Sequence, residues 1–410
     1  MNISSFLGTT RGRFSTGLAP WRTGIAPTMA TAHLFLEAGF NFLPVTYALL
    51  IPKLGLTYGQ IGTLVLLMTI SGTITQPLFG WLSDRGDPRK IVVISVVWGG
   101  VLMGFVGFMP TFGLLAGLLI LAAVGSAAFH PPAAALSAFT ETQQRGRAMS
   151  IFSVGGNLGS AISPAFMGVA LAVAGLSATG ILIPLAALTG LVLARRLKKV
   201  SLTTRPISTD ERPHTSLRIG SIIALMAIIM TVASRSYFQQ SLETFLPQWL
   251  LTEGHSLSIA GAALSIMMVA VGIGSLFGGS LSDRFGRLPV IAVSLCGMIA
   301  GQWILMQLSG GLQVAAIVLI GLMIGASYPV TIVLAQEAWP QRIGFASAMV
   351  MGLGWLPAGL GAFVVGQIAD SRTLTAGLES LLLIPLVGIA AVAIYYLVSR
   401  RMRTNERLLS

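Results

Sequence analysis

The stretch GWLSDRGDPRK at residues 80–90 returns as GSLSDRFGR at residues 279–287, a short charged turn repeated 199 positions later between long apolar runs. At that same offset Gly62 falls on Gly261, Gly80 on Gly279, and Leu82-Ser83-Asp84-Arg85 on Leu281-Ser282-Asp283-Arg284. Nearby offsets match Phe42-Leu43-Pro44 with Phe245-Leu246-Pro247, Pro131 with Pro329, and Gly146-x-Ala148 with Gly344-x-Ala346. Matches kept in order along both halves are the mark of a duplicated unit.

The composition says what the unit is made of. Of 410 residues, 54% are hydrophobic and only 9% charged, where a soluble domain has about 25% charged residues. Apolar stretches of about 20 residues recur from residue 28 to residue 398, each long enough to cross a hydrocarbon core of about 30 Å. Inside lipid every backbone polar group must be bonded within its own segment, so these are helices. Spans are expected near 28–52, 60–82, 90–109, 112–138, 147–174, 178–194, 219–250, 260–281, 288–308, 311–336, 344–368 and 376–398. The fold class is therefore an all-α membrane protein with twelve transmembrane helices in two pseudo-symmetric six-helix bundles. Residues 1–194 form the first bundle with a short tail, 195–218 a linker, and 219–410 the second bundle with its own tail.

The net charge of +12 belongs to topology and not to nucleic acid. Lys and Arg fall at the termini and in alternate loops, including Arg85, Arg89 and Lys90, Arg145 and Arg147, Arg195 to Lys199, Arg205 to Arg218, Arg284 and Arg287, and Arg342, whereas the opposite loops hold Lys53 and Arg372. By the positive-inside rule both termini and the linker are expected in the cytoplasm of a multi-pass inner-membrane protein, with anionic lipid as the partner of the basic loops. Cys296 is the one cysteine, so neither a disulfide framework nor a thiolate cluster can form within the chain. No cofactor and no metal are expected, and the protein is expected to be monomeric.

Gly80 and Gly279 are expected to let a neighbouring helix approach closely, while Asp84, Arg85, Asp283, Arg284 and Arg287 sit at helix ends where carboxylates can pair with Arg or face a helix N-terminus. Together they read as a cytoplasmic gate; the plainer reading is a tight charged turn. These hairpins resemble the signature between helices two and three of the major facilitator superfamily, with Asp87-Pro88 intervening before Arg89 in the first copy. More narrowly, Phe129-His130-Pro131, the run from Arg145 to Pro164, that from Arg235 to Leu250, and the Gly-rich run ending at Asp370 resemble the fosmidomycin-resistance branch of drug exporters. The resemblance implies the major facilitator fold and alternating access about a central site. Gly159-x-x-x-Ser163-Pro164 is a weakened form of that superfamily's antiporter pattern. In the resembled fold helices two, five, eight and eleven, rich in Gly here, pack across the two halves.

Ionisable groups within spans are functional candidates because burying charge in lipid is costly. His33, Glu37 and Asn41 repeat at i, i+4, i+8 in the first span, and Arg235, Gln239 and Glu243 repeat that spacing in the seventh, so each set shares a helical face. The resemblance places both helices on the central cavity, with the two stripes facing. Glu37 is expected to exchange a proton, helped by His33 and Glu243. Arg235, a permanently charged planar fork of donors, is expected to bind an anionic substrate with Gln239, Asn41, His130, Tyr328 and Asn157, and to pair with Glu37 or Glu243 when empty. The opposing reading is a structural ion pair between the two helices; His130 also reads as a second proton site, or as a kink-packing residue beside Pro131.

The expected function is a proton-coupled secondary transporter, an antiporter exporting a small anionic drug or metabolite. The alternative is a proton-coupled uptake symporter of an organic anion. A membrane-embedded enzyme is remote, since no P-loop, H-E-x-x-H or Ser-His-Asp constellation is present.

Overall fold

The computed structural model describes residues 25–139, 145–198, 219–339, 346, 349–350 and 352–409. Among them the chain is helical throughout, with no strand. The helices are α1 Ile25–Ala38, α2 Leu43–Leu54, α3 Tyr58–Arg85, α4 Pro88–Gly104, α5 Phe112–Phe139, α6 Arg145–Ala174, α7 Leu182–Leu197, α8 Ile219–Thr252, α9 Leu257–Phe285, α10 Arg287–Gln307, α11 Gly311–Ala338, α12 Leu356–Ser371, α13 Leu374–Glu379 and α14 Ile384–Leu409. Ten stretches are long and apolar enough to cross a membrane. That over Arg147–Leu197 holds two helices, α6 and α7, joined by a 3-10 turn, and α12 completes the twelve-span architecture.

Elementary chemistry sets the helix ends. Thr57 and Gln60 form a reciprocal capping box at the start of α3. Asp87 caps α4, with Pro88 at the first helical position where its missing N–H costs nothing, and Gly55 closes α2 in the left-handed conformation. The expected linker starts inside α7, which runs on through Arg195 and Arg196 to Leu197; basic residues in a last turn suit the helix dipole and reach the interface on long stems. The remainder of that linker, Arg342 and the first part of the eleventh span lie outside the described residues.

The first span is not one helix. It breaks over Gly39–Phe42, between α1 and α2. Pro44 has no N–H to give to Phe40, and Asn41 turns its side-chain amide back onto the Glu37 carbonyl at 3.0 Å.

Among the described residues, close packing between the two halves is seen on one face. A Cβ on Gly62 would meet the backbone of Ala362, one on Gly366 the backbone of Tyr58, one on Gly359 the side chain of Thr69, and one on Gly261 the carbonyl of Pro164. On that side the Ala165 N–H donates to Ser265 Oγ at 2.8 Å, and Gln248 Nε2 donates to the Pro44 carbonyl at 2.5 Å. The repeated hairpins lie on the opposite face. A Cβ on Gly279 would meet nothing within 4 Å, and one on Gly80 only Pro131, at 3.8 Å. Among the described residues the expected close approach at these two glycines is absent.

The Gly-rich helices also divide their work differently from expectation. Gly155 and Gly159 admit the backbone of α1, and Gly274 and Gly278 that of α11. These contacts lie within a half; Gly62, Gly261, Gly359 and Gly366 supply those between halves. A small-residue stripe permits close approach without specifying the partner helix.

Candidate functional site

The break in the first span presents Glu37 on the last turn of α1. Its Oε2 accepts a hydrogen bond from Asn41 Nδ2 at 3.0 Å. Its Oε1 faces two imidazoles, His33 Nε2 at 3.6 Å on its own helix and His130 Nε2 at 3.3 Å from α5. His33 Nδ1 lies 2.9 Å from the Phe152 carbonyl of α6, and its ring stacks on that of Phe152 with centroids 4.2 Å apart. His130 Nδ1 lies 2.8 Å from the Ser126 carbonyl, one turn back on α5. Gly156 is required here, since a Cβ would run into the His33 ring.

This geometry fixes the proton inventory. A carbonyl oxygen only accepts, so both Nδ1 atoms must carry hydrogen. Both Nε2 atoms then point at the same carboxylate oxygen, and a bare imidazole lone pair against a carboxylate is repulsive. The contact is favourable only with a further proton between Nε2 and Oε1, on the carboxyl or on a ring. The three atoms lie within 4.8 Å of one another, the one group of this kind among the described residues, and one proton can bridge Oε1 to only one Nε2 at a time.

The second stripe lies on α8. Gln239 Nε2 donates to Glu243 Oε1 at 2.7 Å. Arg235, 2% exposed, departs from expectation. It forms no ion pair with either glutamate among the described residues; its guanidinium lies over the Tyr328 ring of α11 at 4.5 Å, and Nε and Nη1 have no hydrogen-bond partner. Tyr328 meets Trp355 edge to face with centroids 6.4 Å apart. The reason is the side-chain direction on α8: Arg235 is two turns from Glu243 and leans toward α11, within its own half.

Of the expected substrate ligands, Asn41 and His130 are engaged with Glu37, and Tyr328 holds Arg235. Asn157 is exposed and makes no hydrogen bond among the described residues. At the hairpin face the second hairpin is tied within its own half: Arg287 bonds Asp283 and Ser282 Oγ, and pairs with Glu337 of α11 at 3.3 Å. Its charge is held more firmly by the hydrogen bond to Asp283. In the first hairpin Arg85 lies over Trp81, 4.4 Å from the ring centroid, while the Arg89 guanidinium beside Asp87 holds that carboxyl below its usual range.

The residue that sequence reading passed over is Asp370. At the end of α12 its two carboxylate oxygens accept the backbone N–H groups of Tyr58 and Gly59, each at 2.8 Å, in the first turn of α3. An acidic residue at a helix C-terminus opposes its own dipole and favours another helix's N-terminus. That mismatch is the signal that could have marked it.

The sequence matches the family model described as Major Facilitator Superfamily over residues 29–362 and 230–408. It is 27% identical over 387 residues to the fosmidomycin resistance protein of Escherichia coli, covering 92% of this chain and 94% of that one. An uncharacterized MFS-type transporter of Bacillus subtilis, YfnC, is 28% identical over 370 residues, covering 88% and 90%. Among solved structures, a bacterial homologue of the human lysosomal transporter Spinster, in an inward-facing and occupied conformation, superposes with a TM-score of 0.79 at 17% identity, over 93% of this chain and 97% of that one.

Proposed function

The chain belongs to the Major Facilitator Superfamily, and on that premise we propose that it is a proton-coupled antiporter that exports a small anionic drug or metabolite by alternating access. Family membership makes it a transporter and not an enzyme. The observation that carries the proton is the carboxylate oxygen of Glu37 set between two Nε2 atoms whose Nδ1 partners are fixed. His33, Glu37 and His130 act as one proton-binding unit, His130 joining as a proton ligand in place of a substrate ligand. The observation that carries the anion is Arg235, a buried cation whose Nε and Nη1 lack partners.

In this scheme the hairpin face is cytoplasmic, with both termini, in the inner membrane of a cell. The conformation described is then open to the cytoplasm and closed outside by Asp370 on α3. Gly80, Asp84, Arg85, Gly279, Asp283, Arg284 and Arg287 form the gate of the opposite state, when the hairpin ends meet across the halves. The protein works as a monomer among lipids.

One observation favours the alternative. An anion held at a free Arg235 would by simple electrostatics strengthen proton binding at nearby carboxylates, which is the sign of symport. Antiport needs a direct competition between proton and substrate. The similarity to a fosmidomycin resistance protein and the Gly159-x-x-x-Ser163-Pro164 pattern support export. Everted membrane vesicles with an imposed pH gradient decide between them. Accumulation of an anionic substrate driven by an acidic interior is expected; accumulation only under the reversed gradient would establish symport and overturn the export reading.

A further inference from the structure

Two buried orphans of opposite kind lie one helical turn apart on α8. Arg235 offers donors, with Nε and Nη1 unpartnered, and Gln239 offers an acceptor, with Oε1 unpartnered; the two residues are 2% and 8% exposed. Buried polar atoms left without partners are costly, so each marks what a ligand would supply. While Glu243 is ionised it can only accept, so it holds the Gln239 amide nitrogen, which donates to its Oε1 at 2.7 Å, and keeps the amide from turning. The carbonyl is therefore the end left for a ligand.

We infer that the substrate carries two groups, an anion held by Arg235 and a hydrogen-bond donor, hydroxyl or N–H, held by Gln239 Oε1. Residues at i and i+4 share one helix face, so the two groups can act on one ligand. Tyr328 lies beneath the guanidinium and itself meets Trp355 edge to face. This rests on the reading of Arg235 as the anion site.

The same geometry supplies the competition that antiport needs. When Glu243 takes a proton, its O–H becomes a donor, and the acceptor beside it is the Gln239 amide. The proton on Glu243 and the donor on the substrate then seek one carbonyl oxygen. The charged group that reaches Glu243 from across the halves is Glu37 of α1; Arg235, on its own helix, stacks on Tyr328 instead. Glu243 is thus a positioning residue, acting on the substrate through Gln239.

The test uses the full-length protein in nanodiscs with two probes, 4-hydroxyphenylphosphonate and 4-methoxyphenylphosphonate, and calorimetric Kd values across pH. A site built around a hydrogen bond rejects the analogue lacking it, so the hydroxyl compound is expected to bind at least about tenfold more tightly. That preference should fall to about one in Gln239→Leu, and should weaken on acidification in the wild type but not in Glu243→Gln. Equal Kd values for both probes in the wild type would overturn the two-group substrate while leaving the anion site standing. No binding of either probe, or binding unchanged in Arg235→Ala, would overturn the anion site itself. A preference that survives in Glu243→Gln with its pH dependence intact would overturn the competition.

Discussion

Asp370 closes the first turn of α3 from the other half of the chain, its carboxylate accepting the Gly59 N–H at 2.8 Å and that of Tyr58 at the same distance. A carboxylate on a helix N-terminus contributes about 1–2 kcal/mol when it is well placed. This cap exists only while α12 and α3 touch, so it favours the conformation closed on that face.

Asp370→Ala should therefore shift the population toward the state open on the Tyr58 face by about tenfold. Distances between spin labels on α3 and α12 would read the shift. An unchanged distance distribution would mean that glycine packing alone holds this face shut. Asp370→Asn, which retains one accepting oxygen without the charge, should fall between the two.

Glu37→Gln removes the atom at which His33 and His130 converge. Gradient-driven accumulation should collapse to the equilibrium distribution, while substrate exchange without a gradient persists. Unchanged accumulation at normal expression would leave Glu37 as a structural link. His130→Gln should change the pH dependence of transport more than Asn157→Ala does.

Gly156→Ala forces the His33 ring out of its place against Phe152. The expected cost is about 1–3 kcal/mol, as for other overpacked interiors. It should appear as a lower midpoint of thermal unfolding in detergent together with an altered pH profile. Gly272→Ala, where a Cβ meets nothing within 4 Å, is the control and should be neutral to slightly stabilising through helix propensity.

Arg287→Gln frees Asp283 and Glu337 at the hairpin face. These groups are largely exposed, with Asp283 at 70%, so the stability change should stay below about 1 kcal/mol. Turnover should change more than stability does, since the pair belongs to one end of the cycle. A large loss of folded protein with normal turnover per folded molecule would mark the pair as structural.

Much of this protein could be read in the chain itself. The near-absence of charge, the repeated runs and the 199-residue offset between the hairpins define helices in a membrane and two related halves, because lipid leaves the backbone no alternative. The i, i+4, i+8 spacing of His33, Glu37 and Asn41, and of Arg235, Gln239 and Glu243, also singled out the polar face of each half.

Other relationships depend on contacts between segments distant in sequence. The Phe152 and Ser126 carbonyls fix the two imidazoles, which sets His130 beside Glu37. The lean of Arg235 toward Tyr328 leaves it unpaired. Pro44 and Asn41 break the first span beside the Glu37 carboxyl, and the meeting of α12 with α3 places Asp370 on the first turn of α3. Even the hairpins that first revealed the repeat show, among the described residues, no close approach of the opposite half at Gly80 or Gly279. Spacing fixes what shares a helical face; which groups face it, and in which state, is decided by tertiary packing, where small energies choose among many geometrically allowed neighbours.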